Sequence, residues 1–331
     1  MTDVKYINNF DILRLILAIL VYFAHWNILT SQDISNQLFH LSGYAVHMFF
    51  IVSGFLIFWS FDADQNKKHF YIKRFFRIFP LYAFLIILQT LFFIGFSDGS
   101  TFEVIKYFIA NIFFLNFLAP SVGSTLSSLE VNAINGSLWT LKNEVVFYLI
   151  VPLLFMFYKK WGGYILLILY SLSVVYMFAV DYLGMEKLLV QFPAQVRLFM
   201  VGILLYILFD KFNKNNIYLL AIVSLILLIF LKDNTYFNYI LYPFCIGFMM
   251  IFLVYFVKNI KVNFDFSYSL YILHFPVIQL ALYFEINPTN PIISFVVLFA
   301  VILVLSYFSE KYIEKRFIKI GREIVKKDKS A

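Results

Sequence analysis

The sequence predicts an all-α fold, a polytopic bundle of about ten transmembrane helices with both termini cytoplasmic. Three observations carry this. Of 331 residues, 62% are apolar or aromatic and only 14% charged, and a mean hydropathy of +0.84 leaves too little polar surface to cover a soluble fold. Apolar runs of roughly 20 residues, the length needed to cross a bilayer core, recur along the whole chain. Lys and Arg collect on alternate connections between these runs. The same composition excludes disordered, fibrous and disulfide-scaffold classes. Gly and Pro number only 12 and 8, and the single cysteine, Cys245, sits in an apolar run where it reads as a small buried hydrophobe.

The candidate spans are 10–29, 43–60, 79–96, 141–158, 162–180, 196–209, 217–231, 237–257, 267–284 and 291–309. The net charge of +7 is a topology signal rather than a nucleic-acid footprint. Lys5, the connection 61–78 (Lys67, Lys68, Lys73, Arg74, Arg77), Lys159/Lys160, Lys211/Lys214, Lys258/Lys261 and the tail 310–331 all fall inside when the N-terminus is placed inside. Lys106, Lys142, Lys187, Arg197 and Lys232 fall outside. Counting forward puts 97–103 outside, and counting backward from the tail puts 119–139 outside. The shorter run 104–118, interrupted by Lys106, Asn111 and Asn116, should therefore not cross, and is expected to be a re-entrant or interfacial helix. Crossing there would make eleven spans and put the tail outside.

Short connections and the lack of any Pro/Gly/Ser-rich linker predict one membrane-embedded domain over 1–310 and a basic cytoplasmic tail over 311–331. The N-terminal MTDVKYINNF has no basic n-region before an apolar core, so no cleaved signal peptide is expected.

Ionisable groups at membrane depth are functional candidates by default. The first span, FDILRLILAILVYFAHWNIL, carries Asp11, Arg14 and His25. Arg14 and His25 are eleven residues apart, three turns plus about 20°, so they share one face roughly 16 Å apart along the axis. Asp11 precedes Arg14 by three residues and can pair with it. His25 falls in the outer half. Glu144, one to two turns into the fourth span, is expected at the same depth, where a carboxylate could hold the imidazole in one tautomer for general-base chemistry. Arg74 and Arg77 share a helical face flanked by Lys73, an array suited to gripping phosphates. Pro80 is expected to open or kink the next span. His47, Ser53 and Gly54 lie in the second span, where Ser-Gly usually marks close helix packing. His274 counts into the inner half of its span, too deep to join His25, and His40 and His69 read as loop residues. No phosphate loop, GxGxxG turn, HExxH helix, CxxC pair or GxSxG elbow appears. No histidines stand at metal-ligand spacing within one segment, apart from the loop-separated His40 and His47, so no metal is expected.

Five segments in order, DILRLILAILVYFAH, HMFFIVSGFLI, KRFFRIFPLY, SLWTLKNEVVFYLIVP and SYSLYILHFPVI, resemble the acyltransferase-3 family of integral membrane O-acyltransferases over nearly the whole chain. The resemblance implies a bacterial plasma (inner) membrane enzyme that moves an acyl group, usually acetyl, from acyl-coenzyme A to a sugar hydroxyl of an O-antigen, capsule or exopolysaccharide glycan. His25 matches the family's proposed catalytic histidine and Arg14 its first-span arginine. Arg74 and Arg77 match its Arg-x-x-Arg pair, and Trp139 and Glu144 its Trp…Glu motif. Some relatives carry an extra extracytoplasmic esterase-like domain. This chain is expected to have none, which leaves open whether it delivers the acyl group itself or hands it to a separate extracytoplasmic partner.

On that reading, the coenzyme A phosphates dock on Arg74, Arg77 and Lys73, the pantetheine arm rises past Arg14, and His25, oriented by Glu144, deprotonates the acceptor. Trp139 stacks on the sugar, Ser53 is offered as an oxyanion donor, and His47 lies near the acceptor. Membrane lipids are the surrounding partner. A transporter of a lipid-linked glycan or organic anion without chemistry is the alternative. It fits the buried charges but predicts an internal repeat and Gly/Pro-interrupted helices in matching positions, which are missing. A structural subunit of a glycan-export machine would tolerate loss of His25.

Overall fold

A computed structural model describes residues 9–32, 36–260, 264–286 and 290–330; of 36–41 it describes the backbone only. Lys5 and Lys261, two of the inside charges, lie outside the described residues. Thirteen α-helices follow in order, with no strand among the described residues: α1 (Asn9–Thr30), α2 (Asn36–Ala63), α3 (Lys67–Phe96), α4 (Thr101–Ile112), α5 (Leu138–Trp161), α6 (Tyr164–Tyr182), α7 (Phe192–Ile207), α8 (Lys214–Phe230), α9 (Thr235–Ile240), α10 (Tyr242–Ile251), α11 (Ser267–Tyr283), α12 (Pro291–Ser309) and α13 (Lys315–Ser330). Each of the ten apolar runs coincides with a helix, or with α9 and α10 together. Six helical segments among the described residues are long and apolar enough to cross a membrane, and Phe192–Ile207, Lys214–Phe230 and Tyr242–Phe256 are shorter apolar helices. The outward faces of α6, α8 and α12 carry bare aliphatic stripes, such as Leu167, Ile168 and Leu172 on α6. Such faces suit hydrocarbon, because a helix satisfies its own backbone there.

The chain forms two compact units, each drawn from several stretches of sequence. The first comprises Met1–Leu17, Gly43–Phe70 and Asn143–Asn263. Its centre is a close approach of α2 and α7. A methyl group on Gly54 would run into the Phe199 carbonyl, and one on Gly202 into the Ile51 carbonyl. Small residues let two backbones touch where lipid gives no hydrophobic drive for association, so the packing expected of Ser53-Gly54 is present. Phe199 stacks on Phe147 at 4.2 Å and tilts against Phe50 at 5.0 Å.

The second unit comprises Ala18–Ser42, Tyr71–Lys142 and Phe264–Ala331. Tyr22 of α1 donates to the Phe295 carbonyl of α12 at 2.8 Å. The run 104–118 divides into α4 and a short 3-10 turn at Asn116–Leu118. At 12 residues, α4 is about 18 Å long, too short to cross. Tyr107 and Asn111 face inward, while Glu103 and Lys106 are exposed. Tyr107 donates to Gln89 at 2.7 Å, Asn111 donates to the Tyr107 and Ala119 carbonyls at 2.8 Å each, and Tyr82 donates to the Asn111 carbonyl. A capping box of Ser100 and Glu103 starts the helix.

One expectation, the loop placement of His40 and His69, needs correction. The basic connection 61–78 is mostly helix, since α2 runs to Ala63 and α3 begins at Lys67. Lys73, Arg74 and Arg77 ride on the first turns of α3, as their shared helical face requires, and Pro80, expected to open or kink the span, lies inside that helix. His40 and His69, read as loop residues, fall within α2 and α3. The tail is helical too: a π turn at Glu310–Glu314 leads into α13, whose Gly321 lies under the Phe76 ring.

Candidate functional site

His25 and His274 meet in the second unit. His25 Nδ1 lies 2.7 Å from His274 Nε2, with the rings stacked at 4.9 Å and 16°. His274 Nδ1 is 3.1 Å from the Leu270 carbonyl oxygen. His25 is half-buried, while His274 is fully buried. Phe275 sets its edge against His25 at 5.0 Å, and Tyr22 and Tyr271 set theirs against His274 at 6.4 and 5.9 Å.

The separation of His274 from the His25 level expected from sequence is thus overturned. Counting depth along a span from its first residue takes no account of how the start of α11 is packed. Its first turn is buried inside protein, with Ser267 and Ser269 at 3% and 0% exposure. Ser267 donates to Asp265 at 2.7 Å, and Ser269 donates to the Ser306 carbonyl of α12 at 3.1 Å. With α11 packed this way, His274 stands level with His25.

The loop before α5 braces this pair. Pro276 has no N–H to give the Ile272 carbonyl four residues earlier, and Asn135 donates to that carbonyl instead, at 2.9 Å. Ser137 donates to the Asn135 side chain at 2.6 Å. Gly136 passes so close to Phe275 that a Cβ would lie 2.7 Å from the ring. Trp139 follows on the first turn of α5, half-buried, and Thr140 shares a hydrogen bond with Tyr271 at 2.8 Å.

Arg77 is ion-paired with Asp265 at 2.8 Å, a partner that the sequence reading missed. Asp265 is in turn held by Ser267 and, through its backbone N–H, by Glu310 at 3.3 Å. Arg74 and Lys73 are half-buried on the same turns of α3.

In the first unit, Glu144 accepts from Ser53 at 3.2 Å and from Tyr148 one turn along its own helix. His25 Nδ1, in the second unit, is engaged by His274. His47 Nδ1 lies 2.8 Å from the Tyr242 hydroxyl. Asp11 and Arg14 form the ion pair expected of their spacing. Arg197, at 3% exposure, donates to the Asn238 and Tyr239 carbonyls at 2.8 and 3.2 Å. No group of three or more His, Cys, Asp or Glu able to hold a metal occurs among the described residues.

These features define a polytopic membrane helix bundle with a hydrogen-bonded histidine pair. The model of the acyltransferase-3 family, an acyltransferase domain, matches residues 7–310, and the chain belongs to that family. An O-acetyl transferase of Shigella phage Sf6 is 30% identical over 94% of this chain and 96% of its own length. Nodulation protein 10 of Rhizobium leguminosarum is 30% identical over 46% of each chain. Peptidoglycan O-acetyltransferase OatA of Listeria monocytogenes is 28% identical over 47% of this chain and 25% of its own. The match thus spans about half of the nodulation protein and a quarter of the Listeria enzyme. No solved structure matches the chain.

Proposed function

We propose that this protein is an O-acyltransferase of the bacterial plasma membrane, with ten spans and both termini cytoplasmic, that moves an acetyl group from cytoplasmic acetyl-coenzyme A to a hydroxyl of a surface or lipid-linked glycan. The observation that carries the reading is His25: a half-buried imidazole on α1, with one ring nitrogen already bonded to a buried partner and the other left for an acceptor. The family supports acyl transfer, and the name of the phage relative supports acetyl as the group and oxygen as its destination.

His25 takes the proton from the acceptor hydroxyl as its oxygen forms a bond to the thioester carbonyl carbon. When the C–S bond breaks, His25 returns that proton to the departing sulfur. The products are an ester and free coenzyme A, and no metal or redox step is called for. Arg74, Arg77 and Lys73 serve the donor's phosphates, with Asp265 presetting Arg77. Arg14, fixed by Asp11, lines the route of the pantetheine arm. Trp139 offers an indole face to the sugar. Glu144, Ser53 and His47 act on the acceptor side, Glu144 through the hydroxyls that it holds.

Mass spectrometry of surface and lipid-linked glycans tests this in cells carrying the wild-type gene, no gene, or His25→Ala at matched membrane abundance. The expected result is an increment of one acetyl group with wild type alone. An increment that survives His25→Ala would remove His25 as the base, and glycans identical in all three would remove the enzyme reading in that host.

A further inference from the structure

The His25–His274 pair has a direction that its geometry dictates. A backbone carbonyl oxygen can only accept, so His274 Nδ1, 3.1 Å from the Leu270 oxygen, carries the hydrogen. A neutral imidazole has one N–H, so His274 Nε2 presents a lone pair. His25 Nδ1, 2.7 Å away, must then be the donor. The hydrogen of His25 is thereby placed on Nδ1 and its lone pair on Nε2. We infer that His274 is a positioning residue that fixes His25 in the Nδ1–H tautomer and so leaves Nε2 unprotonated to receive the acceptor's proton.

The surroundings favour a fixed pair over an incidental contact. His274 has 0% exposure, so no water competes for its Nε2. Tyr22, Tyr271 and Phe275 enclose its ring, and α11 is pinned beside it by Asn135 at the Ile272 carbonyl. The arrangement does for His25 what a buried carboxylate does in other histidine-based sites, namely selecting tautomer and ring orientation, but with a neutral partner. When His25 takes up the acceptor's proton on Nε2, its Nδ1–H remains bonded to His274, and the ring need not turn before the proton is returned.

This inference rests on His25 being the base, and the test separates the two. Purified full-length protein in nanodiscs, labelled with 15N-histidine, reports tautomers through ring nitrogen shifts without requiring turnover. His25 and His274 signals are assigned by their loss in His25→Ala and His274→Leu. The expected result is the Nδ1–H tautomer for both rings; an Nε2–H tautomer at His25 would overturn the inference.

Turnover in membrane vesicles supplied with acetyl-coenzyme A gives the second readout. His274→Leu, which keeps bulk but removes the acceptor, should lower kcat about 10²-fold while KM for acetyl-coenzyme A stays within about threefold. His274→Gln, whose amide oxygen can accept near the Nε2 position, should recover much of that loss. Equal activity of the Leu and Gln variants at matched abundance would overturn the positioning role. If His25→Ala itself kept full turnover, the base assignment would fail instead, whatever His274 did.

Discussion

Asn135 donates to the carbonyl of Ile272 at 2.9 Å, the one that Pro276 deprives of its helical partner. A proline inside a buried helix leaves a polar group that must be satisfied elsewhere, and here a loop 137 residues away in sequence does so. Asn135→Ala should lower stability by about 1–3 kcal/mol, read as a fall in thermal midpoint in detergent. In a Pro276→Ala background, the restored N–H should reclaim the carbonyl and shrink that loss. Equal losses in both backgrounds would sever the two residues.

Arg77 and Asp265 set the second expectation. Arg74→Ala combined with Arg77→Ala should raise the apparent KM for acetyl-coenzyme A by about tenfold or more, a loss of one or two charge-assisted bonds, with a smaller change in kcat at saturation. Wild-type kinetics in the double variant would remove the phosphate-docking assignment.

The α2–α7 contact gives a third. Gly54→Ala and Gly202→Ala each force a methyl group into a backbone carbonyl and should destabilise by about 1–3 kcal/mol. Gly43→Ala, where an added Cβ meets nothing within 4 Å, is the control, and should leave the midpoint unchanged or slightly raised.

Asp98 gives the fourth. Hydrogen bonds from the Ser124 side chain and backbone hold its carboxyl below the usual carboxylate range. A lowered folded-state value means that the tether's contribution is present above the unfolded pKa and is lost only as pH falls through the folded one. The protection factor of the Ser124 amide, the intrinsic exchange rate at each pH divided by the observed one, should therefore be flat from about pH 8 to 5 and lower in Asp98→Ala, both read by hydrogen–deuterium exchange mass spectrometry. A fall in that protection factor between pH 7 and 5 would contradict it.

The helices were legible because a bilayer demands long apolar runs, and nothing in the sequence competes with that signal. Asn111 and Asn116, which interrupt the run 104–118 in sequence, hydrogen-bond to each other, since polar groups in an apolar stretch must find partners. The placement of His274 was not legible. Depth was counted from Ser267, and the packing of Ser269 on α12 and of Ser267 on Asp265, which sets where α11 lies against its neighbours, has no signature in a single run of sequence. Asp265 was missed for a related reason: it sits outside every apolar run, so it looked like a loop charge, and its partner Arg77 is 188 residues away. The one cue available was composition, for α11 places Ser267, Ser269, His274 and Gln279 in a single span, more polar groups than lipid alone would accept.

The histidine pair also fixes when the protein can become competent. Its two members are 249 residues apart, so at an elongation rate of ~5–20 residues per second, His274 leaves the ribosome roughly 12–50 s after His25. Until α11 is made, a nascent chain already holds His25 and Trp139 but not the ring that His25 bonds to. If the proposed roles hold, completion of the chain, rather than insertion of its first helices, is the moment at which the base acquires its partner.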